Sequence, residues 1–321
     1  MGTKLGEVGA RILVTGASGQ VGGELVQSLA GLGEVIAPSR AELDLSDEAS
    51  VRAMVRHVKP RWIVNPGAYT AVDRAESESE LAYAVNATAV RALGEEAKAI
   101  GAAVVHFSTD YVFDGEGTAP YRESDPVHPT SVYGASKLAG EQELARSGAA
   151  HLIFRTSWVY GATGKNFLRT ILKAARERDR LRVVADQHGA PTWSRDLARM
   201  TEHVIGECER RFAGAGTRDG FAGLPDAVTQ VGGVYHAAGA GETTWHGFAA
   251  EAVRQQAERT PEVRLAEIDP IATVEYPTPA RRPANSRLDC GKLNSMFGWS
   301  MMRWEESLRA VLAELAAPVS P

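Results

Sequence analysis

The feature that most constrains the fold stands near the N-terminus. Arg11–Thr15 (RILVT) is a short apolar run with the character of a buried strand. Gly16-Ala17-Ser18-Gly19-Gln20-Val21-Gly22 follows at once, and Val21, Leu25 and Leu29 then recur on one face of a helix. Glycines in such a turn allow a sharp reversal and a close backbone approach. The amides of the helix that follows then face an anion, typically a pyrophosphate. The spacing is G-x-x-G-x-x-G rather than G-x-G-x-x-G, so its weight comes from the strand before and the helix after.

Strand-like and helix-like stretches continue to alternate. Glu34–Ala37, Trp62–Asn65, Ala103–Thr109 and Leu152–Thr156 are expected strands, and Glu80–Ile100 an intervening helix. This rhythm predicts an α/β fold: a Rossmann-like doubly wound parallel sheet with helices on both faces. Beyond residue 160 it loosens. Asn166–Arg178 reads as a helix, Leu181–Ala185 and Val234–Ala237 as strands, and Trp304–Leu315 as an amphipathic helix. The expected division gives 11–160 to the dinucleotide-binding domain, with 186–232 returning to it. A smaller C-terminal α/β substrate domain takes 161–185 and 233–315. The Gly-rich stretch 212–233 is expected to be a surface insertion or loop, and 1–10 and 316–321 flexible ends.

Composition excludes several classes. With 321 residues and a net charge of −5, nothing suggests nucleic acid or an anionic membrane as partner. No apolar run is long enough to span a bilayer. Residues 1–10 lack the apolar core of a signal peptide. Cys208 and Cys290 lie far apart, which fits a reducing cytoplasm, and the histidines show no metal-ligand spacing.

The second strand ends at Ser39-Arg40, where an NAD-preferring site usually carries an acidic residue. Arg40 is either a partner for a 2′-phosphate or a solvated loop residue. NADPH is therefore the expected cofactor, with NADH as the alternative. Asp44 and Leu45, after a further short strand, are expected near adenine. Ala68, Tyr69 and Thr70 follow the next strand, on the edge that lines the ligand crevice.

Chemistry is carried by Ser108-Thr109-Asp110-Tyr111 and Tyr133-Gly134-Ala135-Ser136-Lys137. Tyr133 and Lys137 share a helix face, so the ammonium is expected to lower the phenol's pKa. Tyr133 would then move a proton while Thr109 hydrogen-bonds the reacting oxygen.

These stretches resemble the extended short-chain dehydrogenase/reductases. More narrowly, TGASGQVG, AVDRAE, STDYVFDG, YGASKLAGE, RTSWVYG, GAPT and PARRPANSRL are similar to the dTDP-4-dehydrorhamnose reductases. The resemblance implies Gly19, Gln20 and Val21, within the turn from Gly16 to Gly22, on the pyrophosphate, and Ser39, Asp44 and Leu45, beside Arg40, near the adenosine. It puts Ala68, Tyr69 and Thr70 along the cofactor, and Tyr133 and Lys137 on the nicotinamide ribose as well as in the chemistry. Thr109, Asp110 and Trp158 would hold the sugar, with Trp158 as a flat apolar wall. Arg282, beside Arg281, and Asn285 would meet the rest of a nucleotide-sugar substrate. Asn86 matches an asparagine that supports the lysine. Some members pair through Mg²⁺ held by glutamates. Glu24 matches one such position, but Arg195 and Gly291 stand at two others. No metal site is expected, and the chain is expected to be a monomer or a homodimer without a metal bridge.

The implied reaction is reduction of the C4 keto group of dTDP-4-dehydro-L-rhamnose. Two alternatives stay open. One is a nucleotide-sugar dehydratase or epimerase of the same fold, although a dehydratase would carry glutamate where Tyr111 stands. The other is a nucleotide-binding regulatory subunit without catalysis.

Overall fold

The structure is a computed structural model, and it describes residues 10–214 and 223–317. Six parallel strands form the main sheet. They are β1 (Arg11–Val14), β2 (Glu34–Ile36), β3 (Trp62–Asn65), β4 (Ala103–Thr109), β5 (Ala150–Thr156) and, later in the chain, β7 (Gly233–His236). Their spatial order is β7-β5-β4-β3-β1-β2. The order reverses between β1 and β3, which makes a ligand crevice at their carboxyl ends.

The apolar runs explain why the sheet is covered on both faces. Ile12 and Val14 join Trp62, Val64, Val105 and Phe107 in one core, whereas Leu13 joins Ile63, Val104 and Ile153 in another. Successive strand residues point to opposite faces, so a run with no polar break needs two covers. Helix α1 (Gln20–Ser28) and α6 (Ser194–Gly214) cover the first face. Helix α2 (Glu48–Val58) and α3 (Ala89–Ile100) cover the second.

Helix α4 (Val132–Ser147) carries the Tyr133 and Lys137 pair. Ser131 caps it by accepting the Gly134 amide at 3.1 Å, an interaction generally worth about 1 kcal/mol. Gly148, at φ 70°, ends it. Beyond β5 lie α5 (Phe167–Glu177) and β6 (Arg180–Val184), and β6 pairs in parallel with β8 (Glu267–Ile271). Tyr160, Leu168, Trp193, Phe248, Trp304 and Leu308 form a separate core on this side. Helices α8 (Trp245–Arg259) and α9 (Trp304–Ala316) contribute to it.

Four expectations change. The strand expected near residue 234, counted with the smaller domain, is β7, an edge strand of the main sheet. The stretch 212–233 is not all loop. Leu224–Val231 is a helix, α7, that buries Leu224, Ala227, Val228 and Val231 at helical spacing. Residues 215–222 of that stretch, 1–9 and 318–321 lie outside the described residues. The helix expected over Glu80–Ile100 is interrupted by a π turn at Ala84–Thr88. No strand precedes Asp44; the chain from 37 to 47 is irregular, because its side chains cap its own amides.

Candidate active site

The glycine turn and the loop after β3 meet at the crevice. A Cβ on Gly16 would lie 2.7 Å from the Gly67 α-carbon, and φ 54° at Gly16 is itself a glycine conformation. A Cβ on Gly22 would lie 2.2 Å from the Gly16 oxygen, so α1 starts hard against the turn. Gly19 caps α1 without a side chain, and no acidic residue occupies the first turn. The amides there keep their preference for an anion. A dinucleotide pyrophosphate fits this cradle. Gln20, next in line, accepts from the Asn166 amide at 2.9 Å, which ties the turn to the start of α5.

At the adenosine end, Ser39 gives both its amide and its hydroxyl to Glu42, each at 2.8 Å. Glu42 is an acidic residue on this loop that sequence reasoning passed over. Its carboxyl is held below the usual range by those two Ser39 bonds. Asp44 accepts from the Ser46 amide and hydroxyl, at 2.9 and 2.7 Å, so its carboxylate shapes its own turn. Arg40 is exposed beside it. Leu45 packs on Gly67. Tyr69 exchanges backbone bonds with Asn86, and its phenol donates to Glu78 at 2.6 Å. Ala68 and Thr70 flank it on the same loop.

Thr109, Asp110, Tyr111 and Tyr133 come together. Gly134 brings this about, because α4 passes so close to Tyr111 that a Cβ there would lie 2.2 Å from the Tyr111 oxygen. The Tyr133 phenol faces the Thr109 hydroxyl, whose influence favours the phenolate. The Thr109 hydroxyl donates to Asp110 Oδ1 at 3.0 Å and accepts the Tyr111 amide at 3.2 Å. Tyr111 meets Tyr133 edge-on, with ring centroids 5.4 Å apart. Burial pushes the Asp110 carboxyl up to about 6, against lowering bonds from Ser286 and Thr109.

Lys137 departs from expectation. Its nitrogen donates to the Phe107 carbonyl at 2.6 Å and lies 3.3 Å from His106 Nε2, rather than pairing with the phenol. Burial brings it down to about 8, partly offset by Glu141. Tyr133 is therefore raised rather than lowered, to about 12, because desolvation outweighs the Thr109 bond. Asn86 does not touch Lys137. It bonds the Ser136 hydroxyl at 3.0 Å, one residue before the lysine.

On the substrate side, Trp158 sits at φ 48°, a rare conformation for a tryptophan. Its ring stacks on Trp245 with centroids 3.7 Å apart. It also backs onto Gly189, where a Cβ would come within 2.5 Å of Cε2. The wall expected from one tryptophan is thus a stacked pair. Arg282 donates to Asp73 at 2.6 Å, and its charge lies close enough to Tyr111 to favour the phenolate against burial. Asn285 is buried, and both ends of its amide are taken, by the Ala119 carbonyl and by Arg287. Arg281 pairs with Glu116 at the surface.

Trp245 and His106 carry no local signal in the sequence; Ser286 lies inside PARRPANSRL but was not singled out. Asp73 was legible, since it lies inside AVDRAE.

A family model described as the RmlD substrate binding domain matches residues 10–317. The chain belongs to this family. A dTDP-4-dehydrorhamnose reductase of Burkholderia thailandensis is 46% identical over 309 residues, covering 95% of this chain and 99% of the relative. The solved dTDP-4-dehydrorhamnose reductase of Clostridium acetobutylicum superposes with a TM-score of 0.84 at 35% identity, covering 96% of this chain and 100% of that one. The Bacillus anthracis enzyme in complex with NADP superposes with a TM-score of 0.82 at 32% identity, covering 95% and 99%.

In this family member the Arg195 guanidinium donates to both oxygens of Glu24, at 2.8 and 3.2 Å, and to Glu314 at 2.7 Å. A fixed cation thus occupies the place where a metal would need carboxylates. Among the described residues no group of His, Cys, Asp and Glu could hold a metal ion. No helix there is long and apolar enough to cross a membrane.

Proposed function

We propose that this chain reduces the C4 keto group of dTDP-4-dehydro-L-rhamnose to give dTDP-L-rhamnose, using NADPH, with NADH as the alternative donor. The observation that carries the reading is the Tyr133 phenol seated on the Thr109 hydroxyl, with Tyr111 rather than a carboxylic acid packed against it. Elimination of water needs a base that is ionised near neutrality at that place, and a phenol raised further by burial is not one.

The bound nicotinamide supplies hydride to C4. The protein's part is the proton and the charge. A neutral Tyr133 is the form that protonates a developing alkoxide, so its raised pKa suits reduction. Thr109 and Lys137 stabilise the oxygen as it gains charge. Gly16, Gly19, Gln20, Val21 and Gly22 take the pyrophosphate. Ser39, Arg40, Asp44 and Leu45 border the adenosine, and Ala68, Tyr69 and Thr70 the rest of the cofactor. Asp110, Trp158 and Arg282 meet the substrate, and Asn285 shapes the loop that presents them.

Cys208 and Cys290 are both free thiols, in keeping with a cytoplasmic setting. The Arg195–Glu24 pair favours a monomer or a homodimer joined without metal. The direct test supplies dTDP-4-dehydro-L-rhamnose with each reduced cofactor and follows loss of nicotinamide absorbance. Oxidation of neither cofactor would overturn the reading. Unchanged physiological function in Tyr133→Phe would instead favour a regulatory, non-catalytic role.

A further inference from the structure

A buried polar chain runs behind the catalytic lysine, across three strands. The Thr15 hydroxyl meets Asn65 Oδ1 at 2.5 Å, Asn65 Nδ2 meets His106 Nδ1 at 3.0 Å, and His106 Nε2 meets Lys137 at 3.3 Å. Thr15, His106 and Lys137 are at most 2% exposed, and Asn65 is 1% exposed. Nothing in the reaction itself asks for His106, which touches neither Tyr133 nor Thr109.

We propose that His106 is a positioning residue for Lys137, and that the tautomer of its ring follows the charge on the lysine nitrogen. A neutral imidazole has one donor and one acceptor nitrogen. The Thr15 hydroxyl accepts the Gly67 amide at 3.3 Å and gives its own proton to Asn65, whose oxygen therefore faces it. The Asn65 nitrogen then donates to His106 Nδ1, which leaves the ring proton on Nε2, facing a neutral amine. A charged Lys137 has only donors and needs Nε2 as an acceptor. That state moves the ring proton to Nδ1 and turns the Asn65 amide to receive it. The Phe107 carbonyl accepts from the lysine in either state.

The surroundings keep the ring itself neutral. Burial, Lys137 from α4 and His151 from β5 all hold His106 well below its ordinary pKa. Glu141, one turn beyond Lys137, favours the ammonium, but it is itself bound by Arg155 of β5 at 2.7 and 2.9 Å. His106 therefore answers Lys137 by tautomer change, not by taking on charge.

The inference uses the reductase reading for its kinetic arm alone. Nitrogen-15 spectra of histidine-labelled protein test it without substrate. Between about pH 6 and about pH 10, the His106 Nδ1 and Nε2 signals should exchange character in one step, and Lys137→Met should abolish that step. In the kinetic arm, His106→Phe should lower kcat about tenfold and move its pH profile by about one unit, while His106→Gln, whose amide can still face Lys137, stays within about twofold. One unchanging tautomer in the wild type, or a wild-type pH profile in folded His106→Phe, would overturn the proposal. Should His106→Phe fail to fold, the spectra of the wild type and Lys137→Met decide alone.

Discussion

The α-carbon of Gly134 lies so close to the Tyr111 carbonyl that a methyl group there would sit 2.2 Å from its oxygen. This approach brings the first turn of α4, and with it Tyr133, onto Thr109. The neighbouring atom is backbone and cannot swing aside. Gly134→Ala should therefore push the helix start away and lower kcat by about a hundredfold, since misplacement of about 1 Å can cost that much. Steady-state rates, with circular dichroism to verify the fold, give the measurement.

Removing the phenol oxygen should be more damaging. Tyr133→Phe keeps the ring contact with Tyr111 but loses the proton donor, so kcat should fall by about 10²–10⁴-fold. NADPH affinity by calorimetry should change far less. Equal losses in both would assign Tyr133 to binding.

Asp110 sets a stability signature. Its folded pKa of about 6 lies above the unfolded carboxyl value, so the native state holds the extra proton. Stability is then lost as pH rises through that window, by roughly 2–3 kcal/mol at full ionisation. Asp110→Asn should melt higher than the wild type at pH 7.5 and match it near pH 4. Thermal melts at the two pH values decide.

His236 works in the opposite sense. Burial, with Arg155 nearby, brings it down to about 3, so the folded state releases a proton that the unfolded chain keeps. Its contribution is present above the unfolded histidine pKa and is lost as pH falls from there toward 3. His236→Gln should flatten the fall of Tm with acid. A variant whose Tm falls as steeply as the wild type's would remove His236 from the acid limb.

The Arg195–Glu24 pair predicts indifference to divalent cations. Activity and hydrodynamic size should be the same with a chelator as with added Mg²⁺. Arg195→Glu should place a third carboxylate beside Glu24 and Glu314 and destabilise α1 against α6 unless a cation is supplied, which melting with and without Mg²⁺ would reveal.

Most of the sheet was legible because its strands are short, mostly apolar runs. Trp62–Asn65 and Ala103–Thr109 fall where the pattern put them. The glycine turn and the trio of Thr109, Tyr133 and Lys137 were legible for a related reason: their spacing has local geometric meaning. What escaped depends on distant partners. Helical spacing puts Tyr133 and Lys137 on one face, but only the fold brings the Phe107 carbonyl and His106 to the lysine first. Trp245 lies 87 positions beyond Trp158, and nothing in its own neighbourhood announces the stack. Helix α7 was hidden by glycines on its N-terminal side, although Leu224, Val228 and Val231 already had helical spacing.

The bare contact between Gly16 and Gly67 has a practical consequence for redesign. The glycine turn and the loop after β3 share one junction with no room for a side chain. Neither loop can be exchanged for a relative's version alone; grafts must carry both together. The irregular segment from Ser39 to Leu45 meets that junction through Leu45. Under the proposed assignment this segment borders the adenosine, so cofactor preference can be retuned there one residue at a time.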